Sequence, residues 1–138
     1  MKSGFGPGIV ATVEDMVTQE MRPAFGGDVV HPVYGTVAMV YHMEWAARRV
    51  ILPYLDDDEE GIGTGVHVKH MSPAPVGAKI LAKAVCTGVE GHIVTCSVQV
   101  FQDDRLLGEG EVEQRIVSRH SLQRRFHELW AEGNTIDS

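Results

Sequence analysis

Residues 36–55 read TVAMVYHMEWAARRVILPYL, and this stretch decides the fold. It is almost continuously apolar, has no glycine and meets a proline only at Pro53. The pattern predicts one long helix, with Thr36 as N-cap and a stop near Pro53 to Leu55. A helix apolar on so many sides needs cover on most of its surface. The cover is legible downstream, where the period changes to two. Ile62 to Met71, Ala78 to Glu90, His92 to Gln102 and Arg105 to Ser118 read as four strands. They are punctuated by Ser72-Pro73-Ala74-Pro75, Glu90-Gly91 and Asp103-Asp104, which predicts an antiparallel meander. In the second strand Ile80, Ala82 and Ala84 oppose Leu81, Lys83 and Val85, so one face is apolar and the other partly wet.

Upstream, Ile9 to Val17 reads as a first strand, with a helix left open over so short a window. Residues 19 to 35 hold Pro23, Gly26, Gly27, Asp28, Pro32 and Gly35, a long breaker-rich loop of the kind that forms lids. Asp56-Asp57-Asp58-Glu59-Glu60-Gly61 reads as an exposed acidic turn without calcium-loop spacing. Residues 121 to 131 read as a short amphipathic closing helix. The expected fold class is α+β, a long central helix wrapped by an antiparallel sheet, with residues 1–138 forming a single domain.

Composition bounds the function. The chain has 138 residues, 43% of them hydrophobic, enough for one core. Twelve Lys+Arg against nineteen Asp+Glu give a formal charge of -7, which repels a phosphate backbone, so no nucleic-acid partner is expected. The longest apolar segment carries Glu44, Arg48 and Arg49, and no signal peptide is visible, so no membrane partner is expected and the cytoplasm is the default. Cys86 and Cys96 are expected as buried free thiols rather than a disulfide. His67 and His70 form an H-x-x-H, but residues three apart on a strand point to opposite faces and chelate poorly, so no metal is expected.

Glu44 is the first candidate for chemistry, because a carboxylate amid Met39, Val40, Met43, Trp45, Ala46 and Ala47 is costly if the sheet encloses it. Burial disfavours the ionised form, a setting that suits a catalytic acid or nucleophile. Pairing with Arg48 at i+4 on a solvated face is the structural alternative. His70, near the end of its strand, is the second candidate, and a structural histidine is its alternative. His42 competes for that role, yet two residues from Glu44 it diverges by about 200° around the helix. Thr36 is the third, a cap if it acts alone.

The ordered set Thr36, Met43-Glu44-Trp45-Ala46, Arg49, Pro53-Tyr54-Leu55, Gly63-Thr64 and His70 resembles the fluoroacetyl-CoA thioesterase family of hotdog-fold proteins. The likeness needs no insertion from Thr36 to His70. It extends more weakly through Pro75-Val76-Gly77 and Val89-Glu90-Gly91, covering roughly residues 30 to 118. The resemblance implies a hotdog fold whose subunits pair their sheets edge to edge, with active sites at the dimer interface, and the edge strands of such a sheet predict a homodimer, with a tetramer as the alternative. It also implies Thr36 as active-site threonine, Glu44 as catalytic carboxylate, His70 as catalytic histidine, and Gly63 as a glycine whose backbone N–H faces the thioester carbonyl. Arg115 is the expected partner of the nucleotide part of coenzyme A. Coenzyme A is then part of the substrate and no separate cofactor is implied. Two departures stand out. The family's loop phenylalanines fall on Gly27 and Val30, with only Phe25 near, and its His-x-Arg reads Glu113-Gln114-Arg115.

The leading expectation is an acyl-CoA thioesterase for a short or small polar acyl group. The alternatives are a non-catalytic acyl-CoA or metabolite-binding hotdog domain and, more weakly, a hotdog dehydratase. A pure binder has no chemical need for a buried carboxylate.

Overall fold

The long helix lies at the centre of the architecture: α1 spans Thr36–Ile51 and continues into a 3-10 turn, Leu52–Tyr54, which carries Pro53. Its buried residues, Met39, His42, Met43, Ala46, Ala47, Val50 and Ile51, recur at three- and four-residue steps and make one face. The cap differs from the expected one. Gly35, in an extended conformation, is the N-cap, and Thr36 is the first helical residue. A side chain at Gly35 would come within 2.9 Å of the Met21 carbonyl oxygen, so the close approach of the preceding loop demands glycine there and frees the Thr36 hydroxyl.

The structure, a computed structural model, describes the backbone of residues 1–137 and the side chains of residues 1–133. Its strands are β1 (Val10–Met16), β2 (Ala24–Phe25), β3 (Asp28–Val29), β4 (Glu59–His70), β5 (Lys79–Glu90), β6 (Ile93–Gln102) and β7 (Arg105–Ser118). Five of them form one antiparallel sheet in the order β1-β5-β6-β7-β4, while β2 and β3 make a two-residue ribbon within the predicted loop. The simple meander is therefore corrected. β5, β6 and β7 follow one another, but β4 pairs with β7 instead of β5. The connection after β4 carries Pro73 and Pro75 and is too long for a tight hairpin, so the chain crosses to the far side of the sheet.

Helix α1 packs against all five strands. The alternation in β5 holds, with Ile80, Ala82, Ala84 and Cys86 buried and Lys83 exposed. Cys86 and Cys96 lie opposite each other across β5 and β6 as buried free thiols. Burial, with the neighbouring Cys86 thiol, pushes the Cys96 thiol up to about 12.

Two other expectations change. Asp57 and Asp58 form the exposed turn as expected, but Glu59 and Glu60 belong to β4, and Asp56, Glu59 and Glu60 are ion-paired rather than merely solvated. Glu60 binds Arg48 at 2.9 Å and Arg119 at 3.5 Å, and the Met1 ammonium group binds Asp56 and Glu59. The last helix, α2, spans Arg119–Asp137, longer than 121 to 131; it meets β7, and Phe126, Leu129 and Trp130 on its apolar side are exposed.

Candidate active site

Thr36 and His70 come together at the N-terminus of α1. The Thr36 hydroxyl oxygen lies 3.0 Å from His70 Nδ1, and His70 Nε2 lies 2.9 Å from the Ser72 carbonyl oxygen. A carbonyl only accepts, so Nε2 carries the ring proton. In the neutral ring, Nδ1 then accepts from the Thr36 O–H. The pair is thus set in one tautomer, with a basic nitrogen facing an exposed hydroxyl. Beside it opens a recess of about 370 Å³, walled by Phe25, Val30, His31, Tyr34, Met71 and Pro73. A larger recess of about 720 Å³, around Glu14, Lys79, Leu81 and Phe101, contains none of Thr36, Glu44 and His70. Its Asp103 and Asp104 would repel a phosphorylated ligand.

Glu44 is exposed in the single chain, so the expected burial is not met. The i+4 alternative also fails, because Arg48 turns to Glu60 and to the Gly61 carbonyl at 3.1 Å. Glu44 has no hydrogen bond or ion pair among the described residues. Its carboxylate instead flanks Gly63, where a Cβ would stand 3.7 Å from Oε2. Gly63 itself adjoins a β-bulge that shifts the register with β7 before Gly65. Two helical turns, about 12 Å of rise, separate Glu44 from Thr36. The single chain therefore groups these residues into two candidate half-sites: Thr36 with His70, and Glu44 with Gly63.

His42 is fully buried and serves neither half-site directly. Its Nδ1 is 2.6 Å from the Tyr34 hydroxyl and its Nε2 is 2.8 Å from Asp15 Oδ2. No spacing in the sequence links these three residues, which come from β1, the loop and α1. Arg49 binds the Thr12 carbonyl oxygen at 2.9 Å and lies over the Trp45 ring, which makes both structural.

Arg115 is exposed on the sheet face away from α1, since its β7 neighbours Gln114 and Ile116 are the ones buried against the helix. Gln114 ties β7 to α1 by donating to the Ala47 carbonyl at 3.0 Å, and Glu113 accepts from Thr64. His67 is exposed and three residues from His70. Among the described residues no group of three or more His, Cys, Asp or Glu side chains is placed to hold a metal ion.

A sequence profile described as fluoroacetyl-CoA-specific thioesterase matches residues 17–120. A fluoroacetyl-CoA thioesterase from Streptantibioticus cattleyicolor is 32% identical over 85 residues, 62% of this chain and 61% of the relative, so the match spans about three fifths of that protein. Among solved structures, a Thermus thermophilus hypothetical protein, a thioesterase superfamily member, superposes with a TM-score of 0.91 at 36% identity, covering 94% of this chain and 96% of that one. A fluoroacetyl-CoA thioesterase structure gives 0.82 at 25% identity, covering 91% and 98%. A hot-dog-like protein from Thermanaerovibrio acidaminovorans gives 0.80 at 19% identity over 88% and 90% of the two chains, a likeness of fold alone.

Proposed function

The chain belongs to the fluoroacetyl-CoA-specific thioesterase family and has the hotdog fold, and from that premise we propose that it hydrolyses the thioester of a short or small polar acyl-CoA to free acid and coenzyme A. The observation that carries the reading is the Thr36–His70 hydrogen bond, in which a basic ring nitrogen is held against an exposed hydroxyl at the mouth of an acyl-sized recess. Thioester hydrolysis needs a base or nucleophile, a route for a proton to the departing sulfur, and donors for the oxyanion. The unpaired Glu44 carboxylate takes a proton from the attacking water, or attacks the carbonyl carbon itself to give an anhydride that water opens. As the C–S bond breaks, the Thr36 O–H donates to the departing sulfur, and the proton released by the water, taken up by Glu44, returns by way of His70 to restore the Thr36–His70 pair, so the products are free acid and thiol. The Gly63 N–H donates to the carbonyl oxygen, and Arg115 meets the nucleotide phosphates.

Two copies complete the site. β4 is an edge strand with Gly63 to His67 exposed, and beside it α1 presents Val37, Tyr41 and Glu44 to solvent, with Val37 83% exposed. A long open edge next to exposed apolar side chains invites strand pairing. Antiparallel pairing of β4 with its copy, centred near Val66 and His67, brings Glu44 and Gly63 of one chain to the partner's Thr36 and the partner's His70. Such a homodimer, with tetramers built on it, joins the half-sites about a two-fold axis. Coenzyme A is part of the substrate, and no further cofactor enters. No helix among the described residues is long and apolar enough to cross a membrane, and the two free thiols fit a reducing cytoplasm.

Release of free thiol from a panel of acyl-CoAs, beside calorimetric binding of the same compounds and light scattering of the protein, tests the proposal. Thiol release by a dimer is expected. Tight binding without thiol release identifies the non-catalytic alternative, and a monodisperse monomer at micromolar concentration rules out the shared site.

A further inference from the structure

The buried face of α1 is apolar except at one point. Met39 and Met43 are adaptable and Ala46 and Ala47 are small, and apolar packing of this kind loses uniqueness of arrangement before it loses stability. His42 is the exception, and both of its ring nitrogens are engaged. The Asp15 carboxylate only accepts, so Nε2 carries the proton and Nδ1 accepts from the Tyr34 hydroxyl. The His42 bond holds the Asp15 carboxyl below the usual carboxylate range, and burial pushes the Tyr34 phenol up, so that it stays protonated and able to donate.

Tyr34 is where this chain meets the candidate site. Its backbone N–H donates to the Ala74 carbonyl at 2.8 Å, its ring stands edge-on to His70 with centroids 6.0 Å apart, and Thr36 follows two residues later. We infer that Asp15, His42 and Tyr34 are positioning residues: their hydrogen-bonded chain keys the rotation of α1 to β1 and seats the Tyr34 ring against His70, holding the Thr36–His70 pair in register for turnover. The turnover part of this inference rests on the function proposed above, whereas the seating of His70 does not. Hydrogen bonds tolerate displacements of only a few tenths of an ångström, and misplacing a reacting group by about 1 Å costs up to about a hundredfold in rate.

The test separates position from stability. Tyr34→Phe alone strands a buried ring nitrogen, so it is combined with His42→Leu, which removes both polar groups and leaves Asp15 free to hydrate. The double variant is expected to melt within a few degrees of wild type and to keep KM within about threefold, while kcat falls roughly 10- to 100-fold. Nitrogen-15 spectra of His70 are expected to change from the single Nε2–H tautomer to a mixture. Asp15→Asn retains an acceptor for His42 and is expected to keep kcat within about threefold, whereas Asp15→Ala does not. A folded double variant with wild-type kcat and an unchanged His70 spectrum overturns the inference. So does an Asp15→Asn variant as impaired as Asp15→Ala, a comparison that stands even if the double variant does not fold. If the wild-type protein cleaves no thioester, the proposed function falls by itself. The His70 spectra of the double variant then decide the positioning role, a mixture sustaining it and a single unchanged tautomer overturning it.

Discussion

Replacing Thr36 with valine isolates the hydroxyl that defines the first half-site. Valine keeps the β-branched shape at the first helical position, and Gly35, not Thr36, caps the helix, so the substitution removes no cap. What is lost is one 3.0 Å hydrogen bond to His70 Nδ1 at an exposed site. Such a bond is worth about 0.5–1.5 kcal/mol net, and water can reach the freed nitrogen, so the expected loss is below about 1 kcal/mol. For a chain of this size that is a fall in Tm of no more than roughly 3–5 °C. The Ser72 carbonyl still holds Nε2 at 2.9 Å, which keeps the ring near its place. Turnover loses the proton partner of His70 and is expected to fall by about 10²–10⁴-fold with KM little changed. Thiol release from acyl-CoA, followed with a thiol reagent, reads the rate, and thermal unfolding reads the stability. The protein's own thiols are buried with raised pKa and stay silent in that assay. A Thr36→Val variant that turns over within a few-fold of wild type refutes the role of the hydroxyl. A large loss of Tm shows instead that Thr36 is structural.

Gly110 lets β7 approach β4 closely, since a Cβ there would stand only 1.8 Å from the His67 carbonyl oxygen. At Gly88 nothing lies within 4 Å. Gly110→Ala is expected to cost about 1–3 kcal/mol or more in thermal unfolding, and equal stability of Gly110→Ala and Gly88→Ala contradicts this packing. Asp15 is held below the ordinary carboxylate range by the His42 bond, and Glu60 by Arg48. Both therefore add stability above about pH 4 that is lost as pH falls through their lower folded-state values. Acid unfolding curves of Asp15→Asn and Glu60→Gln are expected to flatten on that limb, and unchanged curves reject the assignment. In the recess wall Phe25 is 69% and Val30 48% exposed, so neither packs into a gate over the recess. Apolar discrimination of about 1–3 kcal/mol then caps the preference for fluoroacetyl-CoA over acetyl-CoA in kcat/KM. Any strong preference should go to a polar acyl group. A fluoroacetyl preference above about a thousandfold shows that another part of the chain supplies the gate.

Elements whose signal is local were legible. α1 is visible in its unbroken apolar run, and β5 in the alternation of Ile80, Ala82 and Ala84 with Lys83. What the sequence hides is set by distant neighbours. Gly35 displaced Thr36 as cap because the Met21 carbonyl presses on it, and Arg48 chose Glu60 across β4 over its own helix neighbour Glu44. β4 could not be placed beside β7 from its own pattern, because period two identifies a strand and not its partner. Glu44, Thr36, His70 and Gly63 could be named through the family likeness, but their division into two half-sites is a matter of length along α1 and β4. Asp15 and Tyr34 carry no mark of their role in the sequence, and His42 stands out there only as a rival to His70. A histidine on the apolar face of a helix was the available clue that buried polar partners exist.

The shared site is tested most directly by mixing two variants, Glu44→Gln and His70→Ala, each expected to be nearly inactive alone. In a mixed dimer one site carries both substitutions, while the other combines intact Glu44 from one chain with intact His70 from the other. Random reassortment of equal amounts makes half the dimers mixed, so about a quarter of wild-type thioesterase activity is expected to return. A mixture that stays as inactive as its components, although mass spectrometry shows that mixed dimers have formed, contradicts the shared site.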